Sequence, residues 1–226
     1  MTEESALLIA VPAAEPAVAR YRFHLDRSAA LGIPAHITVL YPFLPPDLID
    51  PETRATLTRL IASVPGFRFV LDRTGWFSDQ VLWLGPSDPA PFSALTELVA
   101  AAFPSCPPYG GAFAEVIPHL TIGEGAPRAD LEAAETQVRR HLPIGAEATE
   151  VTLMTGPPPR SAPPGRRWTS VATFPLAQRS PFTAKPTPAS PCRHARGRIS
   201  AEPPAREATH PTIAEEKCRY HDHDPP

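Results

Sequence analysis

The sequence predicts an α+β fold of two pseudo-symmetric lobes, each an antiparallel sheet with helices packed outside, facing one another across a central cleft. Two observations predict it. A strand pattern occurs twice, in Pro34-Ala35-His36-Ile37-Thr38-Val39-Leu40-Tyr41-Pro42-Phe43 and in Val116-Ile117-Pro118-His119-Leu120-Thr121-Ile122-Gly123. Each copy also has a strand-then-helix segment before it and a helix after it, an internal similarity too short for a solenoid and suited to paired α+β lobes.

Both copies read as strands because apolar and β-branched residues run between prolines, which sit at strand ends and not in strand middles. Side chains two apart share a face of a strand, so His36 pairs with Thr38 and His119 with Thr121. Ile37, Val39, Leu120 and Ile122 take the opposite, core-facing side. His210-Pro211-Thr212 has the same bare spacing, but it lies in a polar, proline-broken stretch and its middle residue has no N–H for a ladder.

The remaining elements follow in order. Ala6 to Val11 is a short apolar run that reads as a buried strand ended by Pro12. A helix is expected from about Pro16 to Ala30, closing at Gly32, with Arg20, Arg22 and Arg27 on it. These arginines read as a solvated face, or one of them faces the site. Asp50-Pro51-Glu52 starts a helix that runs to about Val64, with Asp50 as its cap. Phe67–Leu71 and Val81–Leu84 read as strands flanking Trp76 to Gln80, Ala90 to Phe103 as a helix, and Pro104 to Gly111 as a connecting loop. After the second histidine strand, Ala129 to Leu142 is a helix with Leu131, Ala134, Val138 and Leu142 on one face. Glu150 to Thr155 and Trp168 to Phe174 are the last strands, separated by a proline- and arginine-rich loop.

The chain has 226 residues, 42% of them hydrophobic, enough for one core of about 170 residues. The expected division is a folded domain over 1–177 and a disordered, Pro-rich tail over 178–226, where apolar residues are isolated. The tail holds Cys192, His194, His210, Cys218, His221 and His223, but their spacings match no familiar zinc site, and no metal or other cofactor is expected. Only Cys106 of three cysteines lies in the folded part, which gives no disulfide framework and agrees with a cytoplasmic location. The acidic first residues and the stop at Pro12 fit neither a signal peptide nor a membrane span. A net charge of −3 argues against a protein held on long nucleic acid by general electrostatics. A small substrate or an RNA end fits better, and nothing demands more than a monomer.

Two histidines and two threonines suit phosphodiester chemistry. That reaction needs a base for the attacking oxygen, an acid for the departing one, and donors for the phosphoryl oxygens. Imidazole serves in either protonation state near neutral pH, and two of them flanking a phosphate supply acid and base without a metal.

The paired His-x-Thr-apolar strands, the first running on into Leu40-Tyr41-Pro42-Phe43, resemble those of the 2H phosphoesterases, the superfamily of 2′,5′ RNA ligases and 2′,3′-cyclic phosphodiesterases. The resemblance spans roughly residues 5 to 177. It implies that His36, Thr38, His119 and Thr121 are the catalytic residues, in one groove between two lobes. The implied reaction is hydrolysis of a 2′,3′-cyclic phosphate or reversible joining of RNA ends through a 2′,5′ linkage. A module that binds a nucleotide or RNA end in the same cleft without turnover is the alternative.

Further substrate contacts are expected around the motifs. Tyr41 and Phe43 either stack on a base or close the core, and Trp76, Phe77, Trp83 and Trp168 pose the same question, with core packing favoured for Trp83 by its apolar flanks. Arg160, Arg166 and Arg167 form the best basic cluster in the folded part, as a phosphate clamp or as a solvated loop.

Overall fold

Neighbouring strands run antiparallel in both sheets of the computed structural model, which describes residues 3–178. From residue 179 onward the expected tail, with its cysteines and histidines, lies outside the described residues. The strands are β1 (Glu4–Ala10), β2 (His36–Leu40), β3 (Phe67–Phe77), β4 (Val81–Pro86), β5 (Leu120–Glu124), β6 (Ile144–Ala148), β7 (Glu150–Gly156) and β8 (Thr169–Pro175). The helices are α1 (Glu15–Leu25), α2 (Arg27–Ala30), α3 (Pro51–Ala62), α4 (Ala90–Ala102) and α5 (Arg128–Val138). One sheet has the order β2-β1-β7-β8 and the other β5-β4-β3-β6. The two lobes expected from the duplicated pattern are therefore present. Each motif strand is the edge strand of its sheet, and β2 lies beside β5 where the lobes meet.

The chain halves do not map simply onto the lobes. α1 follows β1 in the chain but packs on β5 of the other sheet, and α4 follows β4 but packs on β2. Each lobe is thus covered by a helix that its partner supplies. The inner faces of both sheets and these helices merge in one core, where Leu7, Ile37, Leu82, Leu84, Leu95 and Leu120 are fully buried. A smaller apolar cluster of Ala6, Leu8, Ile33, Met154 and Trp168 lies on the opposite face of the first sheet. Leu8 stands directly across from Thr38, so this cluster borders the motif on the cleft side.

Several boundaries differ from the sequence reading. The helix expected over Pro16 to Ala30 breaks at Asp26, whose extended backbone and side chain, accepting from Ser28 N, cap α2. The strand expected from Val116 begins at Leu120, because Pro118 has no N–H to offer a ladder. Strand β6 has no signal of its own in the sequence: Ile144-Gly145-Ala146-Glu147-Ala148 has little β preference and is a strand because Ala146 pairs with Phe69 of β3. Asp50 caps α3 as expected, accepting from Thr53 N at 2.7 Å.

Candidate active site

Each motif strand carries a β-bulge, and both fall at the same motif position. Leu8 pairs with Thr38 and Leu7 with Leu40, which leaves Val39 as the extra residue. Trp83 pairs with Thr121 and Leu82 with Gly123, which leaves Ile122 as the extra residue. A bulge inverts the alternation beyond it. Val39 and Leu40 are both buried in the core, as are Ile122 and Gly123, where a Cβ on Gly123 would lie 2.5 Å from Leu131 and 2.8 Å from Leu25. The next residues, Tyr41 and Glu124, are therefore turned to the cleft. Strict alternation would have placed both on the helix side.

The histidines are held by matching contacts. His36 Nδ1 lies 2.8 Å from the Pro34 carbonyl and His119 Nδ1 lies 2.7 Å from the Ile117 carbonyl, two residues upstream in each case. A carbonyl only accepts, so each Nδ1 carries the proton and each neutral ring presents a bare Nε2. His36 is pushed down to about 4, first by burial and then by the nearby Arg22 guanidinium, with the Pro34 bond and Asp26 opposing. His119 is also lowered, by burial, against the Ile117 bond. The charge of His119 itself acts on His36, so the two rings share one site.

Arg22 ties the two motifs together from behind. It is 2% exposed, and its guanidinium donates to Asp26 at 2.8 Å, to the Thr121 carbonyl of β5 at 3.1 Å and to the Ile33 carbonyl leading into β2 at 3.4 Å. Asp26 also accepts from the Ser28 hydroxyl at 2.7 Å, so both ions are solvated by protein. The sequence favours a solvated face for this arginine. Its burial follows from α1 crossing to the other sheet.

Aromatic rings wall the His119 side. Phe77 meets the imidazole edge-on at 4.8 Å, and Trp83 lies at 6.3 Å. Trp83 is buried as expected, yet on the cleft face: it spreads over Gly75, where a Cβ would come within 2.2 Å of the ring. On the other side Tyr41 donates to Glu4 at 2.5 Å and meets Trp168 at 6.3 Å, and burial with the Glu4 bond raises its phenol. Trp168 is buried and donates to the Pro157 carbonyl at 2.9 Å. Trp76 points away from the cleft, to Glu135 of α5 at 3.1 Å.

His36, Thr38, Tyr41, His119 and Thr121 come together at the meeting of β2 and β5. Phe43 does not join them. It is 5% exposed and packs edge-to-face on Phe103 at 5.0 Å in the main core, because burying an aromatic ring outweighs leaving it in a cleft. The three loop arginines part company as well. Arg160 stands at the mouth, 4.0 Å from Glu124, with its carbonyl bonded by Arg27. Arg166 pairs with Glu3, and Arg167 lies on Gly32 in a shallow pocket shared with Glu15 and Phe23 of α1. Sequence reasoning missed Glu124, which the bulge redirects, and Tyr109, whose backbone N–H donates to the Tyr41 carbonyl at 2.6 Å from the loop between α4 and β5.

The fold has solved relatives. Escherichia coli LigT in its apo form is 21% identical, covering 79% of this chain and 100% of LigT, with a TM-score of 0.51. TT0787 of Thermus thermophilus is 18% identical, covering 78% of this chain and 100% of that one, with a TM-score of 0.54. No curated protein sequence is significantly similar to this one. The family model of the 2'-5' RNA ligase superfamily matches residues 10–156, a span that runs from the end of β1 to the end of β7 and includes both motif strands and both bulges. The chain belongs to the 2'-5' RNA ligase superfamily.

Proposed function

We propose that the protein is a metal-independent phosphodiesterase that opens 2′,3′-cyclic phosphates or processes RNA ends, working without a cofactor as a cytoplasmic monomer. One observation carries this reading: two histidines at the starts of adjoining edge strands, His36 opening β2 and His119 directly before β5, each with Nδ1 held by the carbonyl two residues upstream, so that two Nε2 atoms serve one cleft.

His36, the more depressed of the two and the one beside a guanidinium, stays neutral and takes the proton of the attacking water. His119 owes its lowering to burial and not to a cation, and a bound phosphodiester anion raises it toward the protonated form, so that it donates to the departing ribose oxygen. When the reaction runs toward a 2′,5′ linkage the two roles exchange. Thr38 and Thr121 donate to the non-bridging oxygens that gather charge during in-line displacement. Tyr41 offers its ring to the base or ribose, and Arg160 at the mouth meets the phosphate or its neighbour.

The test is incubation with a panel of 2′,3′-cyclic and 2′,5′-linked nucleotides, with products identified by phosphorus NMR. A 2′-phosphate product that persists in EDTA supports the reading. Binding of the panel without turnover of any member would replace it with a non-catalytic binding module.

A further inference from the structure

A third bulge aims Arg73 into the cleft. Leu71 pairs with Pro86 and Arg73 with Gly85, which leaves Asp72 as the extra residue of β3. Leu71 is fully buried in the core, so strict alternation would send Arg73 to that side as well, and the bulge reverses it. The guanidinium lies over Gly85, with Nε 3.0 Å and Cζ 3.1 Å from where a Cβ would stand, and the Trp83 ring reaches the same point at 2.8 Å. Trp83 borders His119, so Arg73 shares the cleft face with the second motif. Leu84 pairs with Leu120, and next to that pair Gly85 follows on β4 while His119 precedes on the other strand. Gly85 thus lies between the guanidinium and the histidine, and its missing side chain lets the guanidinium reach toward the motif. Only Nη1 is occupied: it donates to the Pro86 carbonyl at 2.5 Å and, more weakly, to Asp72 at 3.4 Å. Among the described residues Nε and Nη2 have no hydrogen-bond partner, and the side chain is 44% exposed. A guanidinium anchored by one nitrogen with its other donors open is suited to the oxygens of a phosphate.

We propose that Arg73 receives the phosphate joining the terminal nucleotide to the one before it, so that the substrate is the end of an RNA chain and not a lone cyclic nucleotide. The inference rests on the reaction proposed above. Neighbouring strands lie about 4.8 Å apart, so a guanidinium resting on β4 stands one to two strand spacings from the histidine that leads into β5. Successive phosphates of an RNA strand are separated by a comparable span. With the cyclic phosphate between His36 and His119, the 5′-phosphate of the same ribose falls within the arginine's reach. A nucleoside cyclic phosphate has no such group and leaves the guanidinium in water. Arg160 stands beside Glu124 at the other end of β5, so the two arginines do not compete for one phosphate.

Three substrates separate this contact from the chemistry: adenosine 2′,3′-cyclic phosphate, the same nucleotide carrying a 5′-phosphate, and the dinucleotide ApA ending in a 2′,3′-cyclic phosphate. The parent is expected to favour the second and third by about tenfold in kcat/KM, an advantage that shrinks as salt rises. Arg73→Gln is expected to abolish that advantage while changing turnover of the plain cyclic nucleotide less than about twofold, and Arg73→Lys to keep part of it. A parent without the preference, an equal loss on all three substrates, or an advantage that survives in Arg73→Gln would overturn the proposal. If no cyclic phosphate is turned over at all, the reaction proposed above fails while this inference is still decided, by comparing the affinities for adenosine 2′-monophosphate and adenosine 2′,5′-bisphosphate. Tighter binding of the bisphosphate that Arg73→Gln removes supports it. Equal affinities, tightening that survives the substitution, or no binding overturn it.

Discussion

Val39 and Ile122 stand in the same place in the two lobes: each is the unpaired residue of a bulge directly after a motif threonine. Both are buried, at 2% and 0% exposure, so each bulge drives two successive apolar or small residues into the core and rotates the following one into the cleft. Deleting Val39 restores regular alternation, sends Tyr41 toward the core and pulls Leu40 out of it. The expected result is loss of at least a hundredfold in turnover together with a large fall in melting temperature. A Val39 deletion that keeps parental activity would show that the bulge does not aim the cleft residues.

The histidines are the plainest test of the chemistry. His36→Ala and His119→Ala are each expected to lower kcat/KM by about 10³-fold, within the usual range for removing a general acid or base, with little effect on folding. Because the proposed reaction uses both in one transition state, the double variant should lose much less than the product of the single losses. Steady-state rates on any accepted cyclic phosphate decide it.

The activity profile should carry the mark of His36. With the free-enzyme value near 4 and not 6.5, its neutral form persists well into acid, so kcat/KM is expected to fall only as pH drops through about 4. Stability runs in the same direction. Between pH 6.5 and about 4 the unfolded chain binds a proton at this ring that the folded protein refuses, so stability is complete above 6.5 and declines as pH falls through that window. The loss amounts to at most about 3 kcal/mol and should be absent from a His36→Gln variant, as melting temperatures across the pH range would reveal.

Arg22 and Asp26 should behave as a unit. Arg22→Met leaves the Asp26 carboxylate buried without its ion partner and is expected to cost about 3–5 kcal/mol. Adding Asp26→Leu should recover most of that loss. Since Arg22 lowers His36 more than Asp26 raises it, the double variant should move the acid limb of the pH profile upward. Denaturant unfolding and the pH–rate curve measure the two effects separately.

Gly75 has no room for a side chain. A Cβ there would meet the Trp83 ring at 2.2 Å, and an indole flanked by Phe77 has no flexible end to move aside. Gly75→Ala is expected to destabilise the protein by about 2 kcal/mol and, by displacing the ring beside His119, to lower kcat about tenfold. Unchanged kinetics in a destabilised variant would separate the packing role from the catalytic one.

Glu124 places a carboxylate 4.0 Å from Arg160, beside the cleft in which the proposed reaction takes an anionic substrate. Replacing it by glutamine should lower KM for a cyclic phosphate by about two- to fivefold at low ionic strength, with the gain shrinking in high salt. A gain that salt does not diminish would point to a steric effect and not to charge.

Much of this protein is decided locally. The two His-x-Thr strands, the Asp50-capped helix, most of the remaining strands and the division into two α+β lobes all follow from side-chain alternation, proline placement and capping chemistry, which act within a few residues and so are legible along the chain. The same local rules put His36 on one face with Thr38 and His119 on one face with Thr121. Other features depend on what lies across a sheet or beneath a helix. Strand β6 exists because β3 offers it a ladder, Phe43 is buried because Phe103 meets it, and Arg22 is an internal brace because α1 crosses to the opposite sheet. Tyr41 and Glu124 show the limit most clearly: alternation assigns both to the helix side, and a single unpaired residue in each strand reverses it. Parity along a strand is a property of its pairing with a neighbour, so only the assembled sheets decide which side chains the cleft receives.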